Sequence, residues 1–110
     1  AAAREVSGAA DGGDDVSAPS QRFMLALDFF LADVKAEVLR AHAKFPANKL
    51  ASIALQEEVG ELAKAVLDES PLRVREEAVQ VACMAFRVGV EGDRSTDEHR
   101  ARHDLGEIHP

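Results

Sequence analysis

The stretch that decides the fold is residues 54–67, with the sequence ALQEEVGELAKAVL. Glu58 and Glu61 stand three residues apart, so their carboxylates lie side by side on one predicted helix. Glu58 is about 40° of helix rotation away from Leu62, so the acidic pair is expected to border the apolar face. That face is predicted from apolar residues at helical spacing, namely Leu55, Val59, Leu62 and Val66.

A second acidic position occurs in the next predicted helix. Glu77 heads an apolar stripe and is expected to point inward, with Gln80 at i+3 from it. An unpaired carboxylate beside an apolar seam is costly, so it is normally paired, bound to a metal or neutralised. If two antiparallel helices bring Glu58, Glu61 and Glu77 together, their repulsion favours a bound cation. Oxygen-only ligands suit Mg²⁺ or Mn²⁺.

This arrangement resembles the signature of the MazG-like all-α nucleoside triphosphate pyrophosphohydrolases, which is EExxE on one helix and ExxD on the next. Glu57, Glu58 and Glu61 match the first half of the signature, and Glu77 matches the start of the second half. Gln80 stands where that family usually has Asp. The resemblance covers roughly residues 21–92.

The resemblance implies a metal-dependent hydrolase that cleaves an NTP or dNTP to the monophosphate and pyrophosphate, in a nucleotide-pool cleaning role. Glu57 and Glu58 are the implied catalytic residues, with Glu57 either supporting a metal ligand from behind or acting as the base that orients the attacking water. An amide oxygen at Gln80 brings no charge, so a second metal is expected to bind less well. The implied ligands of Mg²⁺, with Mn²⁺ as an alternative, are Glu58, Glu61, Glu77 and Gln80.

Three basic residues are candidates for binding the substrate, namely Lys49, Lys64 and Arg87. Lys49 flanks the predicted turn between the first two helices, where it is either a phosphate or base ligand or a solvated surface residue. Arg87 shares a helix face with Glu77, so it either approaches the phosphates or is exposed and paired with Glu91 at i+4.

Helix start and stop signals divide the chain into a flexible arm over residues 1–19 and an all-α domain over residues 20–110. Gly92 is the predicted C-terminal cap of the third helix. The four helices are predicted to begin at Ser20 or Gln21, at about Lys49 after an Asn48 cap, at Ser70-Pro71, and at Ser95, which forms a capping box with Glu98.

The first predicted helix carries a wide apolar band that includes Phe23, Leu27 and Phe30. Three to four helices of this length bury a small core, so this band leaves apolar surface to spare. We therefore expect a helical bundle that is completed by oligomerisation, as a homodimer or a dimer of dimers. The phenylalanines are expected in core or interface packing, with stacking of one of them on a nucleobase as the alternative.

The composition limits the possible partners. A formal charge of −7 and a pI near 5.0 argue against nucleic-acid binding. The sequence contains neither a run approaching the roughly 20 apolar residues of a membrane span nor a signal-peptide pattern. A single cysteine, Cys83, fits a reducing, cytoplasmic compartment. The alternative to an enzyme is a non-catalytic oligomeric helical protein that binds nucleotide or a protein partner.

Overall fold

The computed structural model describes residues 18–46 and 49–108, and this part of the chain contains helices and no β-strand. The prediction of an all-α fold is therefore confirmed. Residues 1–17 of the predicted arm and the predicted cap Asn48 lie outside the described residues. The elements are α1 (Gln21–Lys44), α2 (Ala51–Asp68), α3 (Pro71–Glu91), a 3₁₀ turn (Arg94–Thr96) and α4 (Asp97–Arg102).

Short polar residues cap the helices at several of the predicted positions. The Ser20 hydroxyl accepts a hydrogen bond from the backbone N–H of Phe23 at 3.1 Å, and the Ser70 hydroxyl accepts one from Arg73 at 3.2 Å. Each cap satisfies a donor that the first helical turn leaves unpaired. Gly92 ends α3 with φ 78°, a conformation that glycine adopts without steric cost. These two starts and this end are confirmed.

The starts of α2 and α4 differ from the prediction. The second helix begins at Ala51 rather than at Lys49, and Leu50 at its cap position has a left-handed backbone with φ 61°. The capping box predicted at Ser95 is wrong. Its hydroxyl donates to the Asp93 carboxylate, and α4 begins at Asp97 instead. A charged acceptor two residues away makes the stronger hydrogen bond and so takes the hydroxyl.

Helix α3 lies at the centre of the bundle. It pairs with α2 across the short connection of residues 69–70, which makes the two helices antiparallel neighbours, and it also packs against α1. The core is made largely of small side chains, so the helices approach one another closely. The buried apolar residues are Val34, Ala41, Ala51, Ala65, Val79 and Cys83.

The apolar face predicted for α2 is correct at two positions and wrong at two. Leu55 and Leu62 are half-buried, whereas Val59 and Val66 are 48% and 63% exposed. Ala65 is fully buried, because a side chain this small lets α3 come close on that side. The helix is thus rotated toward its alanines, and two valines face away from the core.

Helix α1 is held to α3 along part of its length. Val34 is buried, and Arg75 of α3 reaches Asp33 at 2.8 Å with its guanidinium over the Phe30 ring. The predicted spare apolar surface of α1 is present, and it includes Phe23, Met24, Leu25, Leu27, Phe29, Leu31 and Leu39. Among the described helices, none has the length and hydropathy that crossing a membrane requires.

Candidate functional site

A cavity of about 660 Å³ opens between the second half of α1, the start of α2 and the second half of α3. This volume lies within the range of small-molecule sites. Its walls are apolar in part, with Phe45 and Met84 among them, and charged elsewhere. Four of the predicted site residues line it directly, namely Lys49, Glu58, Gln80 and Arg87.

Glu58 lies on the half-buried side of α2, where it meets Glu77 of α3. Burial raises the pKa of Glu58, and a hydrogen bond with the Glu77 carboxyl and the charge of that group raise it further. The charges of Glu61 and Glu57 act in the same direction. Of the three carboxylates that the sequence places together, Glu58 and Glu77 thus influence each other across α2 and α3, whereas Glu61 is exposed.

Glu77 points inward, as predicted, and is 8% exposed. Its carboxylate also meets Arg73 one turn earlier at 2.5 Å, and the same guanidinium reaches Glu76 at 2.6 Å. Arg73 and Glu77 thus form an ion pair at i, i+4 spacing within α3. Arg73 offsets part of the charge of Glu77, while Glu58 carries the raised pKa.

The metal ligands implied by the resemblance are partly assembled. Within residues 18–46 and 49–108, no three His, Cys, Asp or Glu side chains are arranged to hold a metal ion. Glu77 is turned toward Arg73, and Glu61 is exposed. The donor chemistry nevertheless fits a hard divalent cation, because the Glu58 and Glu77 carboxyl groups are near enough for each to act on the other.

Gln80 contacts a residue that sequence reasoning missed, Glu37 of α1. The pKa of Glu37 is lowered by its hydrogen bonds with Arg40 and with Gln80. Gln80 and Glu37 both line the cavity. In the sequence, Glu37 and Arg40 are indistinguishable from an ordinary i, i+3 surface pair, and only the packing of α1 on α3 places them at the site.

Arg87 is buried rather than exposed. Its Nε and Nη2 atoms donate to the Glu91 carboxylate at 2.8 and 2.9 Å, so the alternative pairing with Glu91 is present. Its Nη2 atom also donates to the backbone carbonyl of Phe45 at 2.6 Å. Arg87 lines the cavity, but these contacts direct its guanidinium to the end of α1 and to its own helix.

The other basic residues divide between the cavity and its surroundings. Lys49 lines the cavity, together with Lys44, which flanks the same predicted turn, and Arg40, which the sequence did not single out. Arg40 is paired with Glu37, so the two lysines give the cavity its cationic side. Lys64 lies elsewhere, near the end of α2, where it pairs with Glu69 at 2.9 Å and with Asp68 at 3.6 Å.

Asp93 is a second residue that sequence reasoning missed. It is 1% exposed, and its carboxylate accepts hydrogen bonds from the backbone N–H and the hydroxyl of both Ser52 and Ser95. Burial acts to raise the pKa of Asp93, but these four hydrogen bonds hold the pKa well below its usual range. Ser52 is far from Asp93 in the sequence, so no local pattern predicts this contact.

Comparisons with known proteins add no relative. No protein-family model matches the chain, and no curated protein or solved structure is significantly similar to it. The resemblance to the MazG-like hydrolases therefore rests on the acidic residues of α2 and α3 alone.

Proposed function

We propose that this chain is a metal-dependent nucleoside triphosphate pyrophosphohydrolase of the MazG-like kind. One observation carries the proposal: the Glu58 carboxyl meets the Glu77 carboxyl between α2 and α3, and Glu58 also lines a cavity of nucleotide size. Buried carboxyl groups in contact are costly unless a proton or a cation joins them. A carboxyl group whose pKa is raised by burial and by a neighbouring carboxylate, as at Glu58, is typical of a functional site.

Glu58, Glu61 and Glu77 are the residues that would hold Mg²⁺ or Mn²⁺. The cation supplies charge neutralisation at the phosphoryl oxygens and a lower pKa for water. Glu57, whose charge reaches Glu58, orients the water that attacks the α-phosphorus and accepts its proton. The bond between the α-phosphorus and the oxygen that bridges it to the β-phosphorus breaks, so that the products are a nucleoside monophosphate and pyrophosphate. Lys49 on the cationic side of the cavity offsets phosphate charge.

The test is pyrophosphate release from a panel of canonical and modified NTPs and dNTPs, with Mg²⁺, with Mn²⁺ and with chelator. We expect metal-dependent release that falls by about a hundredfold or more in Glu58→Gln and in Glu77→Gln, because each removes a charged ligand. Glu76→Gln is the matched control. Glu76 contacts the same Arg73 but does not belong to the Glu58–Glu77 pair, so the variant should keep its activity.

A second candidate function is nucleotide binding without turnover. It is favoured by the engagement of Glu77 with Arg73 and of Gln80 with Glu37, since both contacts draw possible ligands away from a shared ion. In that case nucleotide binds in the cavity, no pyrophosphate appears, and Glu58→Gln leaves the affinity unchanged or improves it by removing negative charge.

We also propose that the chain acts as a homodimer or a dimer of dimers in the cytoplasm. The exposed apolar face of α1 and the outward valines of α2 support association with a second copy. Burial of each large side chain contributes about 1.5–3 kcal/mol. The single cysteine, Cys83, supports a reducing compartment.

A further inference from the structure

The end of α3 contacts both ends of the connection between α1 and α2. At one end, the Arg87 Nη2 atom donates to the Phe45 carbonyl at 2.6 Å. At the other end, the Asp93 carboxylate accepts from the backbone N–H and the hydroxyl of Ser52, each at 2.8 Å. Between these two contacts lie residues that line the cavity, and we name them the rim: Phe45, Pro46, Lys49 and Ala51.

Asp93 is itself firmly placed. Its other carboxylate oxygen accepts from the backbone N–H of Ser95 at 2.8 Å and from the Ser95 hydroxyl, and its own N–H donates to the Ile108 carbonyl at 3.0 Å. A buried carboxylate with four donors has little freedom to turn. The contact with Ser52 is therefore made by a fixed group, and the first turn of α2 takes its position from it.

The backbone beside this contact is strained. Leu50, within the connection, has φ 61°, which a branched, non-glycine residue rarely adopts. Such a conformation persists only where the surrounding structure determines it. The two hydrogen bonds from Ser52 to Asp93 lie two residues later and supply that determination.

We propose that Asp93 is a positioning residue for the rim: it holds the first turn of α2 so that the cavity keeps the shape in which it binds nucleotide. Arg87 does the same for the Phe45 end. That the cavity binds nucleotide rests on the proposed function, whereas the control of the rim by Asp93 does not.

Cys83 provides a test that needs no activity. It is the one cysteine of the chain, it lines the cavity, and it is 1% exposed. Burial raises the pKa of its thiol, so native protein should react slowly with dithiobis(nitrobenzoate). We expect Asp93→Asn to accelerate this reaction about tenfold or more, because one pair of donors loses its acceptor and the rim opens more often.

Two serine variants form a matched pair if Asp93→Asn folds poorly. Ser52→Ala and Ser95→Ala each remove one hydroxyl donor to Asp93, the first on the rim side and the second on the far side. Ser52→Ala should accelerate Cys83 labelling about threefold to tenfold at temperatures where the protein stays folded. Ser95→Ala, at equal loss of stability, should accelerate it by less than about twofold. Equal labelling rates in the two variants would overturn the proposal.

Turnover separates this inference from the proposed function. Ser52→Ala should raise KM for the triphosphate about threefold or more with kcat unchanged, because the rim binds and does not react. A fall in kcat at constant KM contradicts the positioning role. If wild-type protein releases no pyrophosphate, the proposed function fails, and the Cys83 labelling rates still decide whether Asp93 holds the rim.

Discussion

At the scale of single residues, Glu58 connects stability to chemistry. Its carboxyl sits half-buried against Glu77, with further negative charge from Glu61 and Glu57. In the folded chain the ionised form is therefore disfavoured, and the pKa lies above the value of about 4.3 that glutamate has when unfolded. The same environment that would favour a cation under the proposed function raises the free energy of the folded chain while no cation is bound.

Removal of this charge should stabilise the protein at neutral pH. The folded state binds the Glu58 proton more tightly than the unfolded state, so stability is lost as pH rises from about 4.3 through the higher folded pKa. Glu58→Gln removes that loss. We expect a higher Tm than wild type at pH 7 and an equal Tm below about pH 4.

Thermal unfolding followed by circular dichroism across this pH range, in the presence of chelator, measures the effect. Glu76→Gln, an exposed charge change on α3, serves as the control and should leave the pH dependence of Tm close to that of wild type. A Glu58→Gln protein that is less stable than wild type at pH 7 contradicts the account of the carboxyl pair.

At the scale of helices, the apolar face of α1 is larger than the single chain can bury. Phe23 is 57% exposed, and Leu27, one turn later on the same face, is 38% exposed. We expect Phe23→Ser to weaken self-association about tenfold or more, since a buried aromatic side chain contributes a few kcal/mol. Sedimentation equilibrium of both proteins gives the association constants.

Leu105→Ser is the matched control, because Leu105 is also an exposed apolar residue but follows α4, away from the bundle face. It should leave the association constant within about twofold of wild type. The interpretation is contradicted if the wild-type chain remains monomeric at about 100 µM, a concentration far above the Kd of a stable dimer.

The helices also show which structural features could be predicted from the sequence. The caps at Ser20, Ser70 and Gly92 were predictable, because each acts on donors or acceptors within its own turn. The exposure of Val59 and Val66 was not, because periodicity marks an apolar band without saying which edge of it meets a neighbour. The edge that packs is the one with Ala65, because its small side chain lets α3 approach closely.

At the scale of the whole molecule, the site draws on three helices. Glu77 could be predicted to point inward from its own apolar neighbours. Glu37 and Asp93 could not, since their partners Gln80 and Ser52 lie far away in sequence and meet them only after packing. Sequence spacing therefore predicts the acidic residues of α2 and α3, of which Glu58 reaches the cavity, and tertiary structure adds its α1 wall and its rim.

The proposed function requires an acidic chain to bind an anionic ligand. The formal charge is −7, but Lys44 and Lys49 line one side of the cavity, beside the paired Arg40 and Glu37. A divalent cation at Glu58 and Glu77 would reverse the local charge on the other side. Under the proposed function, a triphosphate would therefore meet positive charge from the cation and from these lysines.

The most direct test of the central claim is turnover in ¹⁸O-labelled water with the best triphosphate of the panel. Attack of water at the α-phosphorus predicts that the nucleoside monophosphate carries the label and that the pyrophosphate does not, and that both products require Mg²⁺ or Mn²⁺. Label in the pyrophosphate, product formation in chelator, or no product from any triphosphate would contradict the account.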